Sequence, residues 1–245
     1  MLPVTSSRNI DKNIYCNIPI DNPKEIHKKV VSLIRDHFSD QQEFSCLDAG
    51  CAQGSFLYLL KNSLPDKQIH MTGLDIHKEL LNILKENIKE AITIEASLTE
   101  KNCIKSTYDA ITCLGTFSIF DDFKEPFENL YSSVNEGGIL LITSEFNTFP
   151  IDVIMRYRDV RNSPSSWEKG WNIFSKVGIE NLLSSHEADF EWVDFKMPFA
   201  RAPHQEDPMR TWTIQTNENS FQQVNGAGQL VNQSILKVTK KRSKI

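Results

Sequence analysis

The feature that most constrains this chain is a rhythm running through its first 147 residues. Short apolar runs alternate with stretches whose apolar residues recur at three- and four-residue steps, the pattern of strands and amphipathic helices in turn. The runs at 46–50, 70–76, 92–97, 108–114 and 139–146 predict five strands. Between them, one helix opens at Asn22-Pro23 and carries Ile26, Val30, Leu33, Ile34 and Phe38. A second holds Phe56, Leu57, Leu60 and Leu64, and a third Leu80, Leu84 and Ile88. A fourth holds Phe123, Phe127, Leu130 and Val134, with Gly137-Gly138 as its stop. Repeated strand-helix-strand units cross over right-handed, which predicts an α/β fold: a doubly wound, mostly parallel sheet with helices on both faces.

The rhythm changes after Asn147. Residues 148–173 hold Pro150, Pro164 and two tryptophans, with at most a short helix over 152–159. A helix over 176–186 and a strand over 190–197 resume the core pattern. A hairpin over 210–226 turns at Asn217-Glu218-Asn219, and 230–240 is the last strand. The 245 residues, 40% hydrophobic, suit one domain, 1–245. Within it, 1–40 forms an N-terminal cap, 41–147 a ligand-binding half, and 148–173 and 200–228 insertions on the substrate side.

A net charge of -5 offers no general attraction to phosphate backbones or anionic lipid, so neither nucleic acid nor membrane is expected as a partner. The lysine-rich end, 237–245, reads as a solvated terminus. Five cysteines (Cys16, Cys46, Cys51, Cys103, Cys113) form an odd set without C-x-x-C spacing and read as reduced core thiols. Residues 1–11 have no apolar run of signal-peptide length, and no window reaches a span of about 18 apolar residues. A cytoplasmic protein is expected.

Chemistry concentrates after the first strand, in Leu47-Asp48-Ala49-Gly50-Cys51-Ala52-Gln53-Gly54. Small residues let backbone approach a bound nucleotide, and the following helix N-terminus presents unpaired N–H groups. The second element is Gly73-Leu74-Asp75, whose acid stands at a strand end, placed to accept ribose hydroxyls. An acid, a glycine turn and this second acid resemble class I, Rossmann-like S-adenosylmethionine-dependent methyltransferases over residues 40–147, with Ala52 where that family has its middle glycine. The resemblance implies S-adenosylmethionine as cofactor and a seven-stranded sheet whose last strand is antiparallel. It implies cofactor contacts from Asp48, Gly50, Cys51, Gln53, Gly54 and Asp75. Ile76 would pack beside the adenine and Ser97 and Leu98 would line its edge, while Leu114 and Gly115 would face the methionine part and the acceptor.

Other readings stand beside this one. A nicotinamide oxidoreductase would carry G-x-G-x-x-G, which this loop lacks, and Asp48 would repel a pyrophosphate. A protein that binds the cofactor without turnover would fit Ala52 and Ser97. Nucleic-acid amine methyltransferases carry an Asn-Pro-Pro-Tyr-like tetrad after the fourth strand, where this chain has Leu114-Gly115-Thr116-Phe117. Metal-assisted members need acids after the fourth and fifth strands. Asp121, Asp122, Glu145 and Asn147 are nominal candidates, but Asp121-Asp122 reads better as a helix N-terminal pair, so no metal is expected.

Five of the eight arginines and all four tryptophans lie between residues 150 and 215. Guanidinium forks grip carboxylates and aromatic faces stack on rings or sugars, so the expected acceptor is an anionic or sugar-like small molecule, methylated on oxygen. Arg156, Arg158, Arg201, Arg210 and Trp212 are the candidate substrate contacts. His204 is the candidate base by residue type. His27, His37 and His77 read as surface groups.

Overall fold

The computed structural model describes residues 9–161 and 167–243. Residues 1–8, Pro164 and the last two residues of the lysine-rich end lie outside the described residues.

Five parallel strands form the expected frame: β1 (Glu43–Ala49), β2 (Gln68–Asp75), β3 (Ile92–Glu95), β4 (Tyr108–Leu114) and β5 (Val134–Asn147). Past three two-residue strands, β6 (Arg156–Tyr157), β7 (Glu168–Lys169) and β8 (Phe174–Ser175), comes β9 (Ala188–Asp194). A small separate sheet holds β10 (Trp212–Asn217), β11 (Ser220–Val224) and β12 (Leu230–Val231). The final strand, β13 (Gln233–Lys240), slots between β5 and β9 and is antiparallel to both. The main order is β3-β2-β1-β4-β5-β13-β9, with β8 pairing to the end of β5. Of the seven strands on that path, only the last in sequence runs against the rest, as the resemblance implied.

Alternation along β5 divides the interior. Ile139 and Leu141 join one apolar cluster with α2 (Glu25–His37), α3 (Ser55–Ser63) and α4 (Lys78–Asn87). Leu140 and Ile142 join the other, under α5 (Lys124–Ser132) and α6 (Lys176–Leu183). Each fully buried Leu, Ile or Phe contributes about 1.5–3 kcal/mol, so this two-sided core dominates the stability.

Several expectations are corrected. Gly137-Gly138 do not stop a helix: α5 ends at Ser132 and both glycines lie inside β5. A Cβ on Gly138 would stand 2.5 Å from the Asp109 carbonyl oxygen, so glycine lets β5 close on β4 where their register shifts. Residues 152–159 form no helix. Val153 bridges Ile173 and β6 pairs with β7, so this segment takes its hydrogen bonds from chain returning later. The expected strand over 230–240 breaks into β12, which completes the hairpin sheet, and β13.

An unforeseen helix, α1 (Asn9–Asn17), docks on α4 through a 2.7 Å ion pair from Lys12 to Glu79. His27 is buried, not a surface group, because it shares the inner face of α2 with Ile26 and Val30. Its ring meets Phe56 edge-on at 5.7 Å, and burial, then Lys24, lower its pKa to about 3. Cys46, Cys51 and Cys113 are buried thiols, but Cys16 is exposed and Cys103 half-buried. Among the described residues, no helix is long and apolar enough to cross a membrane.

Both insertions open on one edge of the sheet. Residues 148–173 leave from the carboxyl end of β5. β9 ends at Asp194, whose partner Ser234 also pairs with Ser144, so the chain that follows leaves from that same edge. Arg161 ties the two together, donating to the carbonyls of Gln205 at 2.5 Å and Glu206 at 3.3 Å.

Candidate functional site at the carboxyl edge

The turn after β1 is held by its own backbone and by one carboxylate. Gly50 and Cys51 N–H groups donate to the Leu74 carbonyl at 2.7 and 3.0 Å, lashing the turn to the end of β2. Asp75 Oδ2 accepts from Ala52 N–H and Oδ1 from His77 N–H, each at 2.9 Å. One buried acid thus ties the turn to the start of α4. Gly50, Ala52 and Gly54 have φ of 78°, 48° and 89°. The alanine at the family's middle-glycine position therefore adopts the left-handed conformation, a strain held by the Asp75 bond. A Cβ on Gly50 would lie 2.1 Å from Thr116 Oγ1, and one on Gly54 2.3 Å from a Leu84 methyl.

Beneath the turn sits a second acid. Asp48 is buried, and Thr112 Oγ1 donates to its Oδ1 at 2.7 Å. Burial raises its pKa to about 7 against that hydrogen bond. The nearby Asp75 charge adds to the rise and Lys24 opposes it. The floor of the turn is therefore acidic and poorly solvated, a place that favours a cationic ligand group.

Lys24, just ahead of α2, carries the site toward the insertions. Its Nζ would stand 3.9 Å from a Cβ on Gly115, the left-handed residue that follows β4, and it donates to Tyr15 Oη at 2.9 Å. The Arg210 guanidinium lies 5.3 Å from the centre of the Tyr15 ring, and Arg210 pairs with buried Asp207 at 3.1 Å. Partial burial and then Arg210 lower the pKa of Arg201. Lys24 thus links the end of β4 to Tyr15 and through its ring to Arg210, and Arg201 and Arg210 stand close enough to repel each other.

Residues 47–140 match the family model described as a methyltransferase domain. Over that segment the chain is similar to methyltransferase domains, and its fold is the Rossmann-like one of solved S-adenosylmethionine-dependent methyltransferases. A malonyl-[acyl-carrier protein] O-methyltransferase of Bacillus anthracis is 23% identical over 175 residues, which are 68% of this chain and 62% of that protein. The chain thus spans under two thirds of that relative's length. An S-adenosylmethionine-dependent methyltransferase of Clostridium acetobutylicum shares the fold at TM-score 0.55 and 14% identity, covering 95% of this chain and 96% of its own. The plantazolicin methyltransferase BpumL, solved with SAH and a triazolic desmethylPZN analog, shares it at TM-score 0.56 and 15% identity, covering 96% and 92%.

Within the matched segment, Asp48, Gly50, Cys51, Gln53, Gly54 and Asp75 gather around one turn, with Asp48 in β1 beneath it and Asp75 at the end of β2 bracing it. Gln53 is buried and donates to Ser55 Oγ at 3.0 Å. Ile76 leaves 49% of its surface exposed beside Asp75. Ser97 faces Thr99, its hydroxyl 2.8 Å away, while the Leu98 side chain is packed into the second core cluster and leaves only its backbone for a ligand. Leu114 is buried beside Gly115.

The substrate candidates divide. Arg156 is committed to Asp121 at 2.8 Å, and Arg158 lies over Trp167 at 5.2 Å, both in the β6-β7 insertion. Trp212 is half-buried in the hairpin, paired with Val224. His204 Nδ1 accepts from Asp207 N–H at 3.1 Å, and the ring lines a cavity of about 360 Å3 against Asn13, Ile14 and Asn17 of α1. Sequence reasoning missed Tyr15, Lys24, Thr112 and Thr116, none of which belongs to a local motif.

Proposed function

We propose that this domain is an enzyme that moves a methyl group from S-adenosylmethionine to the oxygen of a small, carboxylate-bearing acceptor. The observation that carries the cofactor reading is the glycine turn over two buried acids, Asp48 and Asp75, with an apolar Ile76 left bare beside them. Asp75 keeps lone pairs free for ribose hydroxyls, Ile76 offers an apolar face to an adenine, and Asp48 favours an ammonium group. The cofactor supplies an electrophilic methyl on a sulfonium, so the protein's task is chiefly to hold the acceptor in line. Names among the relatives, an O-methyltransferase for a malonyl group above all, support a carboxylate acceptor.

For the acceptor, the supporting observation is Arg201 beside Arg210: two neighbouring guanidinium groups, one already paired with Asp207, leave a place for a further anion. Both insertions, from the same edge, supply the walls. His204 is assigned the base role only if the acceptor's proton comes within its hydrogen-bond reach.

Calorimetry tests the cofactor reading. Micromolar binding of S-adenosylmethionine is expected at pH 8, weakening as pH falls below about 7, where Asp48 must give up its proton to bind an ammonium group. The loss approaches tenfold per pH unit. Asp48→Asn should flatten the profile, and a wild-type protein that binds neither the cofactor nor its demethylated product refutes the assignment. For the acceptor, Arg201→Lys should raise KM about tenfold for the best carboxylate in a labelled-methyl screen, while cofactor affinity stays constant. An unchanged KM would remove Arg201 from the site.

A further inference from the structure

The carboxyl end of β5 holds an acid that nothing above uses. Glu145 is 4% exposed, and neither of its carboxyl oxygens has a hydrogen-bond partner. Among the described residues it is the one carboxyl group left wholly unpartnered in the interior. Burial alone, with no neighbouring charge of the chain contributing, raises its pKa to about 8. Ionising it without a countercharge is costly, so near neutral pH the acid keeps its proton until a cation is there to pair with it.

Its placement is specific. Alternation puts Glu145 on the same face of β5 as Leu141 and Thr143, the face covered by α2 and α3. Gly115 N–H donates to the Thr143 carbonyl at 2.9 Å, so Glu145 stands one two-residue step, about 6.6 Å, beyond the end of β4. Open α/β sheets bind ligands in that crevice. Glu145 lines a cavity of about 340 Å3 with Ile173 from one insertion and Gln229, Leu230 and Asn232 from the chain after the other. Two of the nearby amide oxygens are occupied: Asn147 Oδ1 accepts from Phe149 N–H, and Gln229 Oε1 accepts from Asn225. A metal ion is a poor occupant, because no group of three or more His, Cys, Asp or Glu that could hold one occurs among the described residues.

We propose that this cavity is a seat for an organic ammonium group, with Glu145 as its countercharge and Ile173 and Leu230 against its apolar body. The inference deepens the acceptor reading: with Arg201 holding a carboxylate, the acceptor becomes a small zwitterion. Butylamine, cationic with an apolar tail, is the probe, and butanol, of like size without charge, the control. At pH 7, 100 mM butylamine should raise the Tm of the wild-type protein by about 3 °C, and butanol should not. Glu145→Gln should abolish the butylamine shift while raising the Tm of the free protein, since it removes the unpaired acid. If that variant fails to fold, Glu145→Asp, which shortens the carboxyl by one carbon, should at least halve the shift.

Equal shifts from butylamine and butanol, or a shift that survives Glu145→Gln, overturn the proposal. So does a Glu145→Gln variant that loses affinity for S-adenosylmethionine relative to its demethylated product, since Glu145 would then serve the cofactor's sulfonium. The cofactor reading stands or falls separately, on wild-type calorimetry without butylamine.

Discussion

Gly50→Ala is expected to abolish cofactor binding and to cost the fold roughly 2–5 kcal/mol, the sum of a left-handed backbone penalty and an overpacking term. At φ 78° any Cβ is strained, and this one would also stand 2.1 Å from Thr116 Oγ1 and 2.9 Å from its methyl. Thr116 follows β4, so relief would push the first turn away from the strand end where the acceptor is proposed to sit. The double variant Gly50→Ala, Thr116→Gly separates the two terms: it removes the clash and leaves the backbone strain, so it should recover about half of the lost stability. Denaturant unfolding measures the fold and calorimetry the ligand. Wild-type affinity in Gly50→Ala would mean that the turn does not contact the cofactor.

The second large effect is expected from Asp75→Ala. Asp75 both braces the turn and is proposed to receive the ribose, so two measurements should move together. Losing the carboxylate leaves Ala52 and His77 N–H groups without their acceptor and frees Ala52 from its left-handed conformation. Stability should fall by about 2–4 kcal/mol, since each bond to a charged group contributes about 1.5–3 kcal/mol and water recovers part. Cofactor binding should weaken by a further factor of 10 to 100, for the lost ribose contacts. Asp75→Asn keeps one accepting oxygen and should fall between the two. A variant that unfolds more easily yet binds as well as the wild type would leave Asp75 a brace and nothing more.

These two positions are legible in the chain itself, because their meaning is local. A glycine turn between a strand and a helix, with an acid at the next strand end, is a spacing along the chain. β4 is legible residue for residue, since a buried central strand is one unbroken apolar run between polar turns. Gly137-Gly138 are not, because a glycine pair serves equally as a helix stop and as a close approach between strands. Only the Asp109 carbonyl, 2.5 Å from the missing Cβ, decides between them.

The sequence by itself determined the alternation of elements, the two-faced core and the glycine turn, since periodicity records which side chains must leave water. Tertiary structure decided the rest of the site. Tyr15, which Lys24 holds by its hydroxyl, meets Arg210 from almost two hundred residues away, Arg161 reaches Gln205 across 44 positions, and Arg156 is claimed by Asp121 across 35. Glu145 reads in sequence as one more strand-end acid, and only the folded chain leaves it buried without a partner. Residues distant in sequence become neighbours only when the whole core closes, so what each charge finds beside it is a property of the packing and not of the segment that carries it.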